Sequence, residues 1–228
     1  MNQNSSSLYR IFGGPQNRGF RIMWLLEELE QNYEVINLNL FKLEHYSEEY
    51  LKINPKKKVP TLTYDDHVLS ESFAIMLHLC EQHSDKELIP LDSAKRMKAF
   101  EWLAFFMTEI EASLWVYAKH SFAYPPKRRV EEILKTAHFE VQRAFTQLSH
   151  FLQEKEQSSA NQPIWILDRF SLADVCAGYL LSWSHARGME LDNPYLHTYF
   201  KQIQDRPAYI RAKDKACISW SDYLNSHS

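Results

Sequence analysis

The feature that most constrains this chain is a change of hydrophobic period part-way along it. From Leu8 to about His83, apolar runs of strand length alternate with helical ones, whereas from Ala94 onward only the helical repeat persists. The first stretch reads as a strand LYRIF, then a helix FRIMWLLEELEQ with Glu27, Glu28 and Glu30 on its wet face. A strand YEVINLNL follows, then a short helix SEEYLKI opened by Ser47, two strands VPTLTY and HVLS joined at Asp65–Asp66, and a helix ESFAIMLHLCEQH. The order βαβαββα predicts a small mixed sheet with helices on its faces.

The second stretch is an all-helical bundle. AKRMKAFEWLAFFMTEIEASLWVYAKH and KRRVEEILKTAHFEVQRAFTQLSHFLQEK read as long amphipathic helices. SLADVCAGYLLSWSHA, NPYLHTYFKQIQDRP and a last short helix after Pro207 complete it. The polar, aperiodic SDKELIPLDS carries Pro90 and serves as a linker, which predicts an α/β domain over 1–83, a linker over 84–93 and a helical domain over 94–228. The first domain is too short to bury a large core alone, so its helices are expected to pack on the bundle. Ser171 and Asp174 have the S-x-x-D spacing of a capping box, which assigns them to folding rather than to a reaction.

Charge and cysteine content narrow the function classes. A formal net charge of −3 gives no reason to expect nucleic acid, and the basic run Lys56–Lys58 is short enough for a solvated loop. The amino terminus MNQNSSS lacks an apolar signal-peptide core and no apolar run is long enough to cross a bilayer, so no membrane is expected and the cytoplasm is the expected location. Three cysteines, Cys80, Cys176 and Cys217, form no C-x-x-C pair and read as buried free thiols of a reducing compartment. Ten histidines without ligand spacing give no metal site.

One stretch resists the plain strand reading. In KKKVPTL a proline opens a strand to which it can give no N–H, so Pro60 marks either an edge or turn position or a special backbone shape such as a cis bond. Glu71 and Ser72 then stand at the first turn of a helix, where orphan N–H groups and the dipole favour an anion. Together with these, INPKKKVPTL, LSESFAIMLHL, LIPLDSAKR, FSLADV and RPAYIRA, in that order, make the chain resemble the cytosolic glutathione transferases of bacterial type over nearly its whole length.

The resemblance implies an amino-terminal thioredoxin-like domain that binds glutathione as co-substrate, with no metal, and a homodimer. It implies that Pro60 is cis and that the Val59 backbone pairs with the cysteinyl backbone of glutathione. Ser72 would hold the γ-glutamyl carboxylate and Glu71 the α-ammonium, and Lys58 and His45 would serve the glycyl carboxylate. Phe106, Glu109 and Tyr117 are candidates for the pocket of a small apolar electrophile, within a helix whose aromatic residues Trp102, Phe105 and Trp115 otherwise read as core. The reaction implied is conjugation of the glutathione thiolate, in detoxification.

The thiol-activating residue departs from the family pattern. Phe12 stands where the family places its tyrosine and Gln16 where it places its serine or cysteine, so neither a hydroxyl nor a thiol is supplied. The loop GGPQNRGF offers the amides of Asn17 and Gln16, helix N–H groups and the Arg18 cation instead. Asn17 equally suits a helix cap. The rival reading is a non-catalytic member of the same fold, resembling a stringent-starvation protein or an elongation-factor subunit. A cysteine-bearing thiol reductase would need a cysteine after the first strand, and none precedes Cys80.

Overall fold

The structure, a computed structural model, describes residues 8–158, 162–189 and 191–226. The chain divides into two compact units, Met1–Glu87 together with Asp205–Ser228, and Leu88–Gln204.

In the first unit a four-stranded sheet has the order β2-β1-β3-β4. β1 (Tyr9–Phe12) runs parallel to β2 (Tyr33–Ile36) and antiparallel to β3 (Thr61–Tyr64), which pairs antiparallel with β4 (His67–Ser70). The β3–β4 turn puts Asp65 at φ 47°, a left-handed conformation that Asp tolerates. Helices α1 (Gly19–Glu28), α2 (Glu48–Ile53) and α3 (Ser72–Gln82) complete the βαβαββα order expected from the periodicity. Ile22, Leu25, Leu26 and Leu29 of α1 and its end, with Ile75, Met76 and Leu79 of α3, are fully buried, as are Ile11 and Leu62 of the sheet. Ser47 caps α2, its hydroxyl accepting from the Tyr50 N–H at 3.2 Å.

The second unit is helical. α4 (Ser93–Phe105), capped by Asp92 Oδ1 accepting from Lys95 N at 2.9 Å, runs through a π-helical segment, Phe106–Glu111, into α5 (Ala112–Ala118) and a second π turn, Lys119–Ala123. α6 is Glu132–Ser158. It starts later than its sequence pattern suggests because the Arg129 guanidinium binds the Tyr124 and Phe122 carbonyls at 2.7 and 2.9 Å and holds the preceding segment in a turn. α7 (Leu172–His185) is buried on nearly every side, and α8 is Pro194–Gln204. The capping box of Ser171 and Asp174 is present. Asp174 does more than cap: Oδ1 accepts from Ile166 N (2.9 Å) and from the Tyr199 hydroxyl (2.8 Å), and Oδ2 from Ser171 N and Oγ (2.9 Å each). Full burial pushes this carboxyl up to about 6 in spite of the four donors.

The chain then returns to the first unit, Asp205–Ser228 grouping with Met1–Glu87. α9 (Pro207–Ser226) is long rather than short and packs on α1. Glu27 and Glu28, expected on the wet face of α1, are the reason. Arg206 grips Glu28 with two bonds, Nε to Oε1 at 2.8 Å and Nη2 to Oε2 at 2.7 Å, while Trp24 Nε1 donates to Glu28 Oε1 at 2.9 Å. Arg211 Nε and Lys215 Nζ reach Glu27 at 2.8 and 2.5 Å. Tyr209 adds an edge-on contact with the Trp24 ring, centroids 5.0 Å apart. Acids that look solvated on an isolated helix are covered by cations far along the chain. Cys80 and Cys176 are buried and outside any disulfide, as expected, but Cys217, on α9, is exposed.

Candidate functional site

The site residues of the first unit gather because of sheet register. Phe12, Thr61 and Ser70 lie side by side across β1, β3 and β4, and Ile36 pairs with Phe12 from β2. Every segment leaving the sheet at this end therefore meets the others: the Gly13–Arg18 loop after β1, the loop after β2 that carries His45, the Val59–Pro60 approach to β3, and Glu71–Ser72 after β4. The amino ends of α1 and α3 point to the same place, so orphan N–H groups concentrate there.

Each approach has its own local cause. Val59–Pro60 is cis, and the ladder between β1 and β3 begins at Thr61, leaving Val59 ahead of it. Three side chains hold this approach. Asn54 Nδ2 donates to the Lys58 carbonyl and to Thr61 Oγ1, both at 2.9 Å. The Tyr50 hydroxyl bonds the same carbonyl and lies 2.8 Å from Thr61 Oγ1. Asn54, Tyr50 and Thr61 are all buried. Gly13, at φ 127°, lets the loop after β1 come close: a Cβ there would stand 2.7 Å from Val59 Cβ.

Asn17 braces that loop from within. Its Nδ2 donates to the Gly13 carbonyl and its Oδ1 accepts from Gly19 N at 2.9 Å. Arg18, not Asn17, is the N-cap residue of α1, and it makes no side-chain cap bond. Gln16 is exposed. Glu71 is exposed with φ 71°, and its carbonyl accepts the Ile75 N–H, closing the first turn of α3. Ser72 is buried and its Oγ accepts from the Arg21 guanidinium, Nε at 3.1 Å and Nη2 as well. His45 lies in a 3₁₀ turn; burial first and the Lys58 cation second push its imidazole below the ordinary 6.5, so it is neutral at pH 7. Its Nδ1 is buried with no hydrogen-bond partner among the described residues. A donor-lined end of a sheet with an open imidazole nitrogen and a nearby lysine suits an extended ligand with carboxylates at both ends.

Phe106, Glu109 and Tyr117 belong to the helical unit. Phe106 is fully buried, its ring 5.6 Å from that of Trp102 and 5.8 Å from that of Phe105, which is a core position. Glu109 pairs with Arg143 at 3.3 Å, and Tyr117 is half-buried. Sequence reasoning missed Arg21, Tyr50 and Asn54. For Asn54 a signal existed, since it is the Asn of the INPKKKVPTL segment; Arg21 reads as an ordinary helical cation and carried none.

Among known proteins, residues 7–81 match the family model described as Glutathione S-transferase, N-terminal domain. The chain is similar to Glutathione S-transferase GstA of Escherichia coli O157:H7, 26% identical over 188 residues, 80% of this chain and 86% of that protein. It is similar also to Disulfide-bond oxidoreductase YfcG of Escherichia coli (strain K12), 25% identical over 217 residues, 90% of this chain and 94% of the relative. In fold it matches Ure2p, solved in complex with glutathione, with a TM-score of 0.80 at 23% identity over 90% of this chain and 97% of that one.

Proposed function

We propose, from the premise that this chain belongs to the glutathione S-transferase family, that it binds glutathione at the end of the sheet and joins the glutathione sulfur to a small apolar electrophile. The observation that carries this reading is the convergence of cis Val59–Pro60, Glu71–Ser72, and His45 with Lys58 on one end of one sheet. In this reading the Val59 N–H and C=O pair with the cysteinyl backbone, as a strand added to an edge does. The Ser72 hydroxyl and N–H hold the γ-glutamyl carboxylate and Glu71 its ammonium group. Lys58 takes the glycyl carboxylate, with His45 donating to it from the imidazole N–H. For the electrophile, Tyr117 and Glu109 keep partly exposed side chains, whereas Phe106 is fully buried in the core. A homodimer and a cytoplasmic location belong to the same reading, and among the described residues no helix is long and apolar enough to cross a membrane.

When bound, glutathione supplies the sulfur nucleophile. A free thiol of pKa about 8.5 is only a few per cent ionised at pH 7, so the chain must favour the thiolate. Asn17 Nδ2 has a second hydrogen beyond the one given to Gly13, and the positive amino end of the α1 dipole and the Arg18 cation act in the same sense. One observation favours a binder without catalysis: Phe12 and Gln16 offer no hydroxyl or thiol, and both ends of the Asn17 amide already brace the loop.

The thiolate absorbance of bound glutathione, titrated in the wild type and in Asn17→Ala, Gln16→Ala and Arg18→Ala, separates the two readings. The transferase reading expects a lowered thiol pKa in the wild type, and a rise of about one unit, or about 1.36 kcal/mol, in Asn17→Ala. A wild-type complex with no lowering, or three variants that leave the value in place, would leave a glutathione binder and remove the transferase.

A further inference from the structure

We propose that Arg21 is a positioning residue that fixes the Ser72 hydroxyl as a hydrogen-bond donor toward the γ-glutamyl carboxylate; this rests on the glutathione reading above. Arg21 lies on the first turn of α1 and is 2% exposed, and Ser72, the first residue of α3, is 5% exposed. Both Nε, at 3.1 Å, and Nη2 of Arg21 donate to the one oxygen, Ser72 Oγ.

The direction of these bonds decides the chemistry. A hydroxyl has one hydrogen and two lone pairs, while a guanidinium has hydrogens and no acceptor. Two N–H groups on Oγ occupy its acceptor side, and the Ser72 hydrogen cannot be given back to Arg21. It must leave on the side away from the guanidinium. The Ser72 backbone N–H is also uncommitted to the helix, since the first bond of α3 runs from Ile75 N to the Glu71 carbonyl. One residue thus presents two donors, an O–H and an N–H, at a helix amino end. A cationic donor on the oxygen also polarises the O–H and strengthens what it gives. A neutral group able to accept in place of Arg21 would let the hydroxyl turn inward and show the carboxylate a lone pair instead.

Calorimetric titration of the full chain tests this with two ligands, glutathione and 4-aminobutanoyl-cysteinylglycine, which lacks the α-carboxylate and is otherwise the same. Arg21→Gln, whose amide oxygen can accept, should bind glutathione about tenfold more weakly and the analogue no differently from the wild type. In a Ser72→Ala background Arg21→Gln should have no further effect, because the two act through one contact. Arg21→Lys, which also donates and cannot accept, should stay within about threefold of the wild type for glutathione. Equal losses for both ligands, or additive losses in the double variant, would mean that Arg21 only supports the fold. If Arg21→Gln does not fold, by its melting curve, Arg21→Lys decides: a tenfold loss for both ligands overturns the proposal. A wild type that does not bind millimolar glutathione refutes the site itself, a result distinct from binding that does not depend on Arg21.

Discussion

Replacing Glu27 by Gln tests whether ion pairs with α9 hold the end of the chain to the first unit. The substitution keeps the shape of the side chain, removes its charge and turns one acceptor oxygen into an NH₂ donor. In the wild type the Glu27 side chain is 6% exposed, and it meets Arg211 at 2.8 Å, Lys215 at 2.5 Å and the Tyr33 hydroxyl at 2.9 Å. Two charges about 4 Å apart attract by about 4 kcal/mol at an effective dielectric of about 20, a gross figure for each pair. The Arg211 and Lys215 side chains are about half exposed, 49% and 54%, so water answers much of their charge when Glu27 is lost. The cost then falls below the range for breaking a fully buried pair, at about 2–3 kcal/mol for the two together. For a chain of this length that is a fall of about 5–10 °C in melting temperature. The pH dependence has a definite sign. Burial pushes the Glu27 carboxyl up, but the bonds from Lys215, Arg211 and Tyr33 outweigh it and hold the group below the ordinary 4.5. Its contribution is therefore present above about 4.5 and is lost as pH falls through the lower, folded value. Thermal unfolding followed by far-ultraviolet circular dichroism should show the gap between wild type and Glu27→Gln at pH 7, narrowing toward pH 3. A variant that melts within 1 °C of the wild type at pH 7, or a gap that does not narrow in acid, refutes the argument.

Asn54→Ala removes the donor to the Lys58 carbonyl and to Thr61 Oγ1 inside the buried support of Val59–Pro60. It should cost about 2 kcal/mol in urea unfolding and weaken glutathione binding as well, whereas a stability loss with unchanged affinity would detach Val59 from the site. Asp174→Asn places an NH₂ against N–H and O–H donors that all point at one carboxylate, so it should destabilise the helical unit by about 3 kcal/mol or more at pH 7; a melting temperature like that of the wild type would show the network to be dispensable. Ser72→Ala should weaken glutathione binding by about 1.5–3 kcal/mol, the range for a hydrogen bond to a charged group, and an unchanged affinity by calorimetry would remove Ser72 from the site.

What the sequence determined is what depends on nearest neighbours along the chain. The change of hydrophobic period fixed the βαβαββα order and the helical half, since the apolar face of each element is set by residues two to four apart. The Ser47 cap, the Ser171–Asp174 box and a special shape at Pro60 were legible for the same reason, each being a short-range pattern with one backbone consequence. Tertiary structure alone decided which partner answers each polar group. Glu27 and Glu28 look solvated on α1 until Arg206, just ahead of α9, and Arg211 and Lys215 on it arrive about 180 residues later and so place the end of the chain with the first unit. Arg21 reads as a surface cation until α3 brings Ser72 to it across the fold, because a buried charge is tolerated only where distant groups satisfy its hydrogen bonds, and periodicity holds no record of those groups.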